Sequence, residues 1–103
     1  ATISVMKMSR KTAEGRDIWY MRIRASTSQN RQVVIVGLQH AREWVAASTA
    51  MYAAERVLEQ FDTNTDINSA LKGVELVIVP VLNPDGLEVF TPYCIHSPSC
   101  PDL

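Results

Sequence analysis

The chain moves from alternation, to an unbroken apolar run, to a helical period, and each change of rhythm predicts an element. Residues 2–8 alternate loosely through Ile3, Val5, Met6 and Met8 and predict a strand. Residues 9–16 are polar, carry Gly15 and read as a turn. Residues 17–25 alternate again, with Ile18, Tyr20, Met21, Ile23 and Ala25 set against Trp19, Arg22 and Arg24. That pattern predicts a half-buried second strand, hairpinned to the first, before a polar loop over 26–31.

Val33-Val34-Ile35-Val36 shows no alternation, as expected of a strand buried on both faces of a sheet. From Ala47 the spacing becomes helical: Ala47, Ala50, Met51, Ala54, Val57, Leu58 and Phe61 form one stripe, with Ser48, Glu55, Arg56 and Glu59 opposite. Residues 62–64 break this helix. A short helix follows over 67–72, capped by Asp66 and closed by Gly73. Residues 74–82 (VELVIVPVL) predict a second apolar strand, with Glu75 near its exposed end.

Strand, helix and strand in this order form a βαβ unit, right-handed and with parallel strands. The fold class is therefore α/β: a mixed sheet with an antiparallel hairpin followed by a right-handed parallel βαβ unit. Residues 91–103 have neither period. They hold Pro92, Cys94, His96, Pro98, Cys100 and Pro101, and prolines at that density predict irregular chain. The expected organisation is one structured part over 1–90 and an irregular tail over 91–103.

At 103 residues the chain is one small domain or part of a larger one. Ten basic against eleven acidic residues leave a formal charge of −1, which gives no electrostatic ground for nucleic acid or an anionic membrane as partner. No apolar run approaches the roughly 18 residues that span a bilayer. The sequence opens on Ala1 and not on methionine, and is expected to be a processed or excised segment. Cys94 and Cys100 allow one bridge.

Two motifs carry candidate chemistry, and both follow apolar strands. In an open α/β sheet ligands bind outside the carboxyl ends of parallel strands, so connectivity alone brings both motifs to one edge. The first is Gly37-Leu38-Gln39-His40-Ala41-Arg42-Glu43-Trp44. Its histidine and carboxylate are zinc-ligand types, and a spacing of three puts them on one face of a helical turn. The alternative is a surface imidazole beside a carboxylate that complements the helix dipole. Arg42, in the first helical turn, is either solvated and paired with Glu43 or Asp85, or a fixed cation able to hold a substrate carboxylate or polarised carbonyl. The second motif, Asn83-Pro84-Asp85-Gly86, reads as a type I turn that shapes the floor of the site. Cys94, His96 and Cys100 match no common zinc spacing.

Together, the two motifs and the helix and strand between them resemble the zinc metallocarboxypeptidases of the pancreatic carboxypeptidase A and B type. Glu14-Gly15-Arg16 followed by Asp17-Ile18-Trp19 is similar to the opening of that catalytic domain. The likeness runs to about residue 90 and covers about the first third of the family's domain. It implies a zinc-dependent hydrolase acting on the last peptide bond of a protein or peptide; the chain's start does not give its localisation, and the resemblance only slightly favours a secreted or lysosome-like compartment. His40 and Glu43 become metal ligands and Arg42 a substrate-binding arginine. The family's second zinc histidine, its carboxylate-gripping Asn-Arg pair, its mobile tyrosine and its general-base glutamate would lie beyond Leu103. No catalytic residue is therefore assigned within this chain, and it is expected to be inactive alone. The family's Trp-Arg stretch is missing, since no basic residue follows Lys72. Two other readings are a non-catalytic binding fragment and a related zinc deacylase of acylated amino acids.

Overall fold

The computed structural model describes residues 1–25 and 31–94. Four strands, β1 (Thr2–Lys7), β2 (Trp19–Arg24), β3 (Gln32–Val36) and β4 (Glu75–Val79), form one sheet in the order β1-β2-β4-β3. β1 and β2 form the antiparallel hairpin, β2 joins β4 antiparallel, and β3 lies parallel to β4. Three helices accompany the sheet: α1 (Trp44–Gln60), α2 (Thr65–Gly73) and α3 (Pro84–Cys94). The mixed α/β sheet with a hairpin and a parallel βαβ connection is thus present.

One face of the sheet packs on α1 and α2. Met21 and Ile23 of β2 and Leu76 and Ile78 of β4 meet Ala50 and Ala54 of α1 and Leu71 of α2. Val57, Leu58, Phe61 and Ile67 close the margin. The alanines matter because they let the α1 backbone approach the strands closely. The anticipated α1 stripe holds except at Met51, which lies exposed.

Several expectations are corrected. In β2 the inward residues are Met21 and Ile23, while Tyr20, Arg22 and Arg24 belong to the opposite face. Ile18 and Tyr20 therefore do not share a face with Ile23, because strand period is strictly two. β3 is not buried on both faces: Val33, Val34 and Val36 are exposed, and only Ile35 packs against the core. α1 begins three residues early, at Trp44. α2 is capped by Asn64, whose side chain accepts from the amides of Asp66 and Ile67. β4 stops at Val79, since Pro80 cannot continue the ladder.

Glu75 is the largest correction. It is not at an exposed end but 2 % exposed. Arg22 grips it through both nitrogens (Nε to Oε1 2.6 Å, Nη2 to Oε2 2.8 Å), and Gln32 donates to Oε1 at 2.9 Å. Arg24 lies 3.5 Å away. The carboxylate thus ties β2, β4 and β3 together on the face without helices.

Asn83-Pro84-Asp85-Gly86 opens a helix and does not form an isolated turn. Asn83 Oδ1 accepts from the Gly86 amide at 2.9 Å, which is N-cap geometry, and Pro84 takes the first helical position, where its missing N–H costs nothing. α3 then continues through Cys94, where irregular chain was expected. Residues 26–30 of the loop anticipated over 26–31, His96 and any Cys94–Cys100 pairing lie outside the described residues.

Candidate metal centre

The parallel pair sets the position of the site. β3 and β4 run in register from Gln32↔Glu75 to Val36↔Val79, so both chains leave the sheet at the same edge. They stay together beyond it. Gly37 N donates to Val79 O (2.8 Å), Leu82 N to Gly37 O (3.1 Å) and Asn83 N to Leu38 O (3.1 Å). The convergence inferred from connectivity is observed.

The approach is close enough to dictate residue type. A Cβ on Gly37 would stand 2.6 Å from Pro80 O and 2.8 Å from Ala46 O, so only glycine fits. Leu38 adopts φ +51°, a left-handed conformation that is costly for leucine, and its side chain is fully buried. Burial of an isobutyl group offsets the strain. The chain then turns through Gln39 and His40 at the surface, and Ala41 drops inward against the second motif. Gly86 leaves room there, since a Cβ on it would come within 3.0 Å of Ala41 Cβ.

His40 and Glu43 face each other across this turn. Glu43 N donates to His40 O at 3.2 Å, and Glu43 O accepts from Ala46 N as the first bond of α1. Glu43 is therefore the N-cap residue, without a capping side-chain bond. The pair lies in the turn before the helix, not on a helical face, and Arg42 likewise precedes the N-cap. The side chains still meet, with Nδ1 of His40 3.4 Å from Oε1 of Glu43. Both remain open to solvent, at 68 % and 51 % exposure. Arg42 lies exposed between them in sequence.

The donor pair can be tested against zinc. Bonds of about 2.0–2.2 Å at a tetrahedral angle put two donor atoms about 3.4 Å apart. The observed separation of 3.4 Å matches, and imidazole and carboxylate are suitable donors. The pair fits two positions of a zinc site. Among the described residues no third histidine, cysteine or carboxylate joins them.

Two supports around the pair were not evident from pattern. Asn83 Nδ2 donates to Gln39 O at 3.2 Å. Asp85 accepts from Thr12 Oγ1 (2.7 Å), Glu14 N (3.1 Å) and Arg16 Nη1 (3.0 Å), pinning the β1–β2 turn to the start of α3. Burial pushes the Asp85 carboxyl up, but these donors outweigh it and hold it below the ordinary aspartate range. Arg10, Lys11 and Arg16 were the available signal, since a basic turn over 9–16 can pair with an acidic residue elsewhere. Trp44 and Phe90 add an edge-to-face contact, 5.8 Å between centroids, that fastens α1 to α3.

The zinc carboxypeptidase family model matches residues 3–95. The chain belongs to the zinc carboxypeptidase family. An inactive metallocarboxypeptidase of Talaromyces marneffei is 41 % identical over 81 residues, which is 73 % of this chain and 14 % of that protein. Metallocarboxypeptidase A of Trichophyton tonsurans is 36 % identical over 78 residues, 74 % of this chain and 18 % of the relative. Carboxypeptidase A from Helicoverpa armigera superposes with a TM-score of 0.73 at 30 % identity, over 87 % of this chain and 22 % of that one. This carboxypeptidase-family chain thus spans about a fifth or less of these relatives and is a partial domain.

Proposed function

We propose that this chain contributes two zinc ligands, His40 and Glu43, and a substrate-binding arginine, Arg42, to a metallocarboxypeptidase that hydrolyses the C-terminal peptide bond of proteins or peptides. The 3.4 Å approach of His40 to Glu43 at the carboxyl edge of the parallel strands carries the reading. When bound, zinc supplies an acidified water and a Lewis acid for the scissile carbonyl. His40 offers a neutral ring nitrogen and Glu43 a carboxylate oxygen. Arg42 offers a cation at the rim, suited to a free C-terminal carboxylate or to a carbonyl gaining negative charge.

Among the described residues no third ligand joins the pair, and the expectation for the 103-residue chain alone is weak zinc binding and no hydrolysis. Zinc titration of the chain, followed by NMR of the His40 ring, tests this. The expected result is saturable binding lost in His40→Ala and weakened about tenfold or more in Glu43→Gln. Binding unchanged by His40→Ala would overturn the ligand assignment. Peptidase turnover by the chain that His40→Ala abolishes would overturn the inactivity. In a longer protein, cleavage of C-terminally blocked peptides would contradict the carboxypeptidase assignment.

A second reading is a non-catalytic family member. It is favoured by the 41 %-identical relative being named an inactive metallocarboxypeptidase.

A further inference from the structure

We infer that Asn83 is a positioning residue for the His40–Glu43 pair, acting through the peptide plane between Gln39 and His40. The inference rests on the zinc reading above and goes beyond it, since Asn83 is not a ligand.

Three bonds converge on this residue. Its backbone amide donates to Leu38 O (3.1 Å), its Oδ1 accepts from Gly86 N (2.9 Å), and its Nδ2 donates to Gln39 O (3.2 Å). The amide orientation is self-consistent, because a flipped side chain would set NH₂ against an N–H and oxygen against a carbonyl. The carbonyl of Gln39 and the N–H of His40 share one rigid plane. Holding that carbonyl therefore fixes the direction in which His40 leaves the backbone. Without the tether, Gln39 and His40 form an exposed two-residue bridge after the strained Leu38.

The surroundings are built for this contact. A Cβ on Gly86 would lie 2.5 Å from Asn83 Nδ2, so the glycine opens the space that the amide crosses. An N-cap alone needs only an acceptor, which serine or aspartate supplies equally well. The donor half of the asparagine amide has no use in capping, and it is spent on the loop that carries the candidate ligand.

The test separates cap from tether. Asn83→Ser keeps the cap and loses the reach to Gln39, whereas Asn83→Ala loses both. In the 103-residue chain, Asn83→Ser is expected to melt close to wild type while Asn83→Ala melts lower. In both, zinc affinity falls about tenfold, the scale seen when a ligand's supporting hydrogen bond is removed. The Glu43 amide, bonded to His40 O, exchanges about tenfold faster in both without metal.

If Asn83→Ser leaves zinc affinity and Glu43 exchange at wild-type values while His40→Ala abolishes binding, the positioning role is overturned and the ligand assignment stands. If His40→Ala leaves zinc binding unchanged, the ligand assignment fails and the positioning role with it.

Discussion

Glu75 shows how one side chain can organise three strands. Its carboxylate is buried on the helix-free face and is held below the usual glutamate range, chiefly by the Arg22 hydrogen bonds, against burial and with help from Gln32 and Arg24. Glu75→Gln leaves two guanidinium groups facing each other without a counter-charge. It is expected to cost about 2 kcal/mol at neutral pH, measured by urea melts. A carboxyl depressed in the folded state contributes stability above its unfolded value, near 4.5, and loses it as the pH falls through the folded value. Wild-type stability should therefore drop more steeply than that of Glu75→Gln below about pH 4.5, and the two curves should converge in acid. Parallel curves would refute the assignment. Nothing in the local sequence announces this, because Val74-Glu75-Leu76 reads as a strand end. The cluster exists only once register sets Gln32 beside Glu75 and brings β2 alongside β4.

Among the elements, the strands and the long helix were legible because their periodicity is strong, and the ends were not. α1 hid its first turn because Glu43 caps it without a side-chain bond, leaving no sequence signal for the start. α3 was hidden by ambiguity, since Asn-Pro-Asp-Gly satisfies a type I turn and an N-cap with proline at the first position equally well. The candidate ligand pair was legible by residue type, yet its support was not, because the Asn83–Gln39 bond spans 44 residues. The joint between β3 and α1 makes its own prediction. Gly37→Ala forces a methyl against two backbone carbonyls, that of Pro80 just after β4 and that of Ala46 in α1. Neither can move without disturbing β4 or α1, so the substitution should cost about 2–3 kcal/mol in a denaturant melt. A cost under 0.5 kcal/mol would mean that the joint is looser than described.

At the scale of the molecule, the helices cover one face of the sheet and leave the other open. Ile18, Tyr20, Val34, Val77 and Val79, with Met8, line a shallow cavity of about 550 Å³ there. β3 is an outer strand of the four described, uncharged from Gln32 to Val36, and exposed at Val33, Val34 and Val36. Such an edge pairs readily with another strand. The 103-residue chain should therefore self-associate with rising concentration in sedimentation velocity, and Val34→Lys should shift it toward monomer. A wild-type chain that stays monomeric at every concentration contradicts this. Amide exchange should follow the same map, with β4, hydrogen-bonded on both sides, protected longest.

The strand order also sets a schedule. β4 is the hub, yet of the four described strands it is made last. During synthesis the β1–β2 hairpin can close as soon as residue 25 has emerged, whereas β3 has nothing to pair with until residues 75–79 follow, some forty residues later. Loop closure over that distance carries an entropic cost that the β3–β4 pairing must repay. His40 and Glu43 leave the ribosome early but gain a defined geometry late, when β4 docks and Asn83 arrives behind it. The two motifs are thus brought together in the same event that seats β4 between β2 and β3.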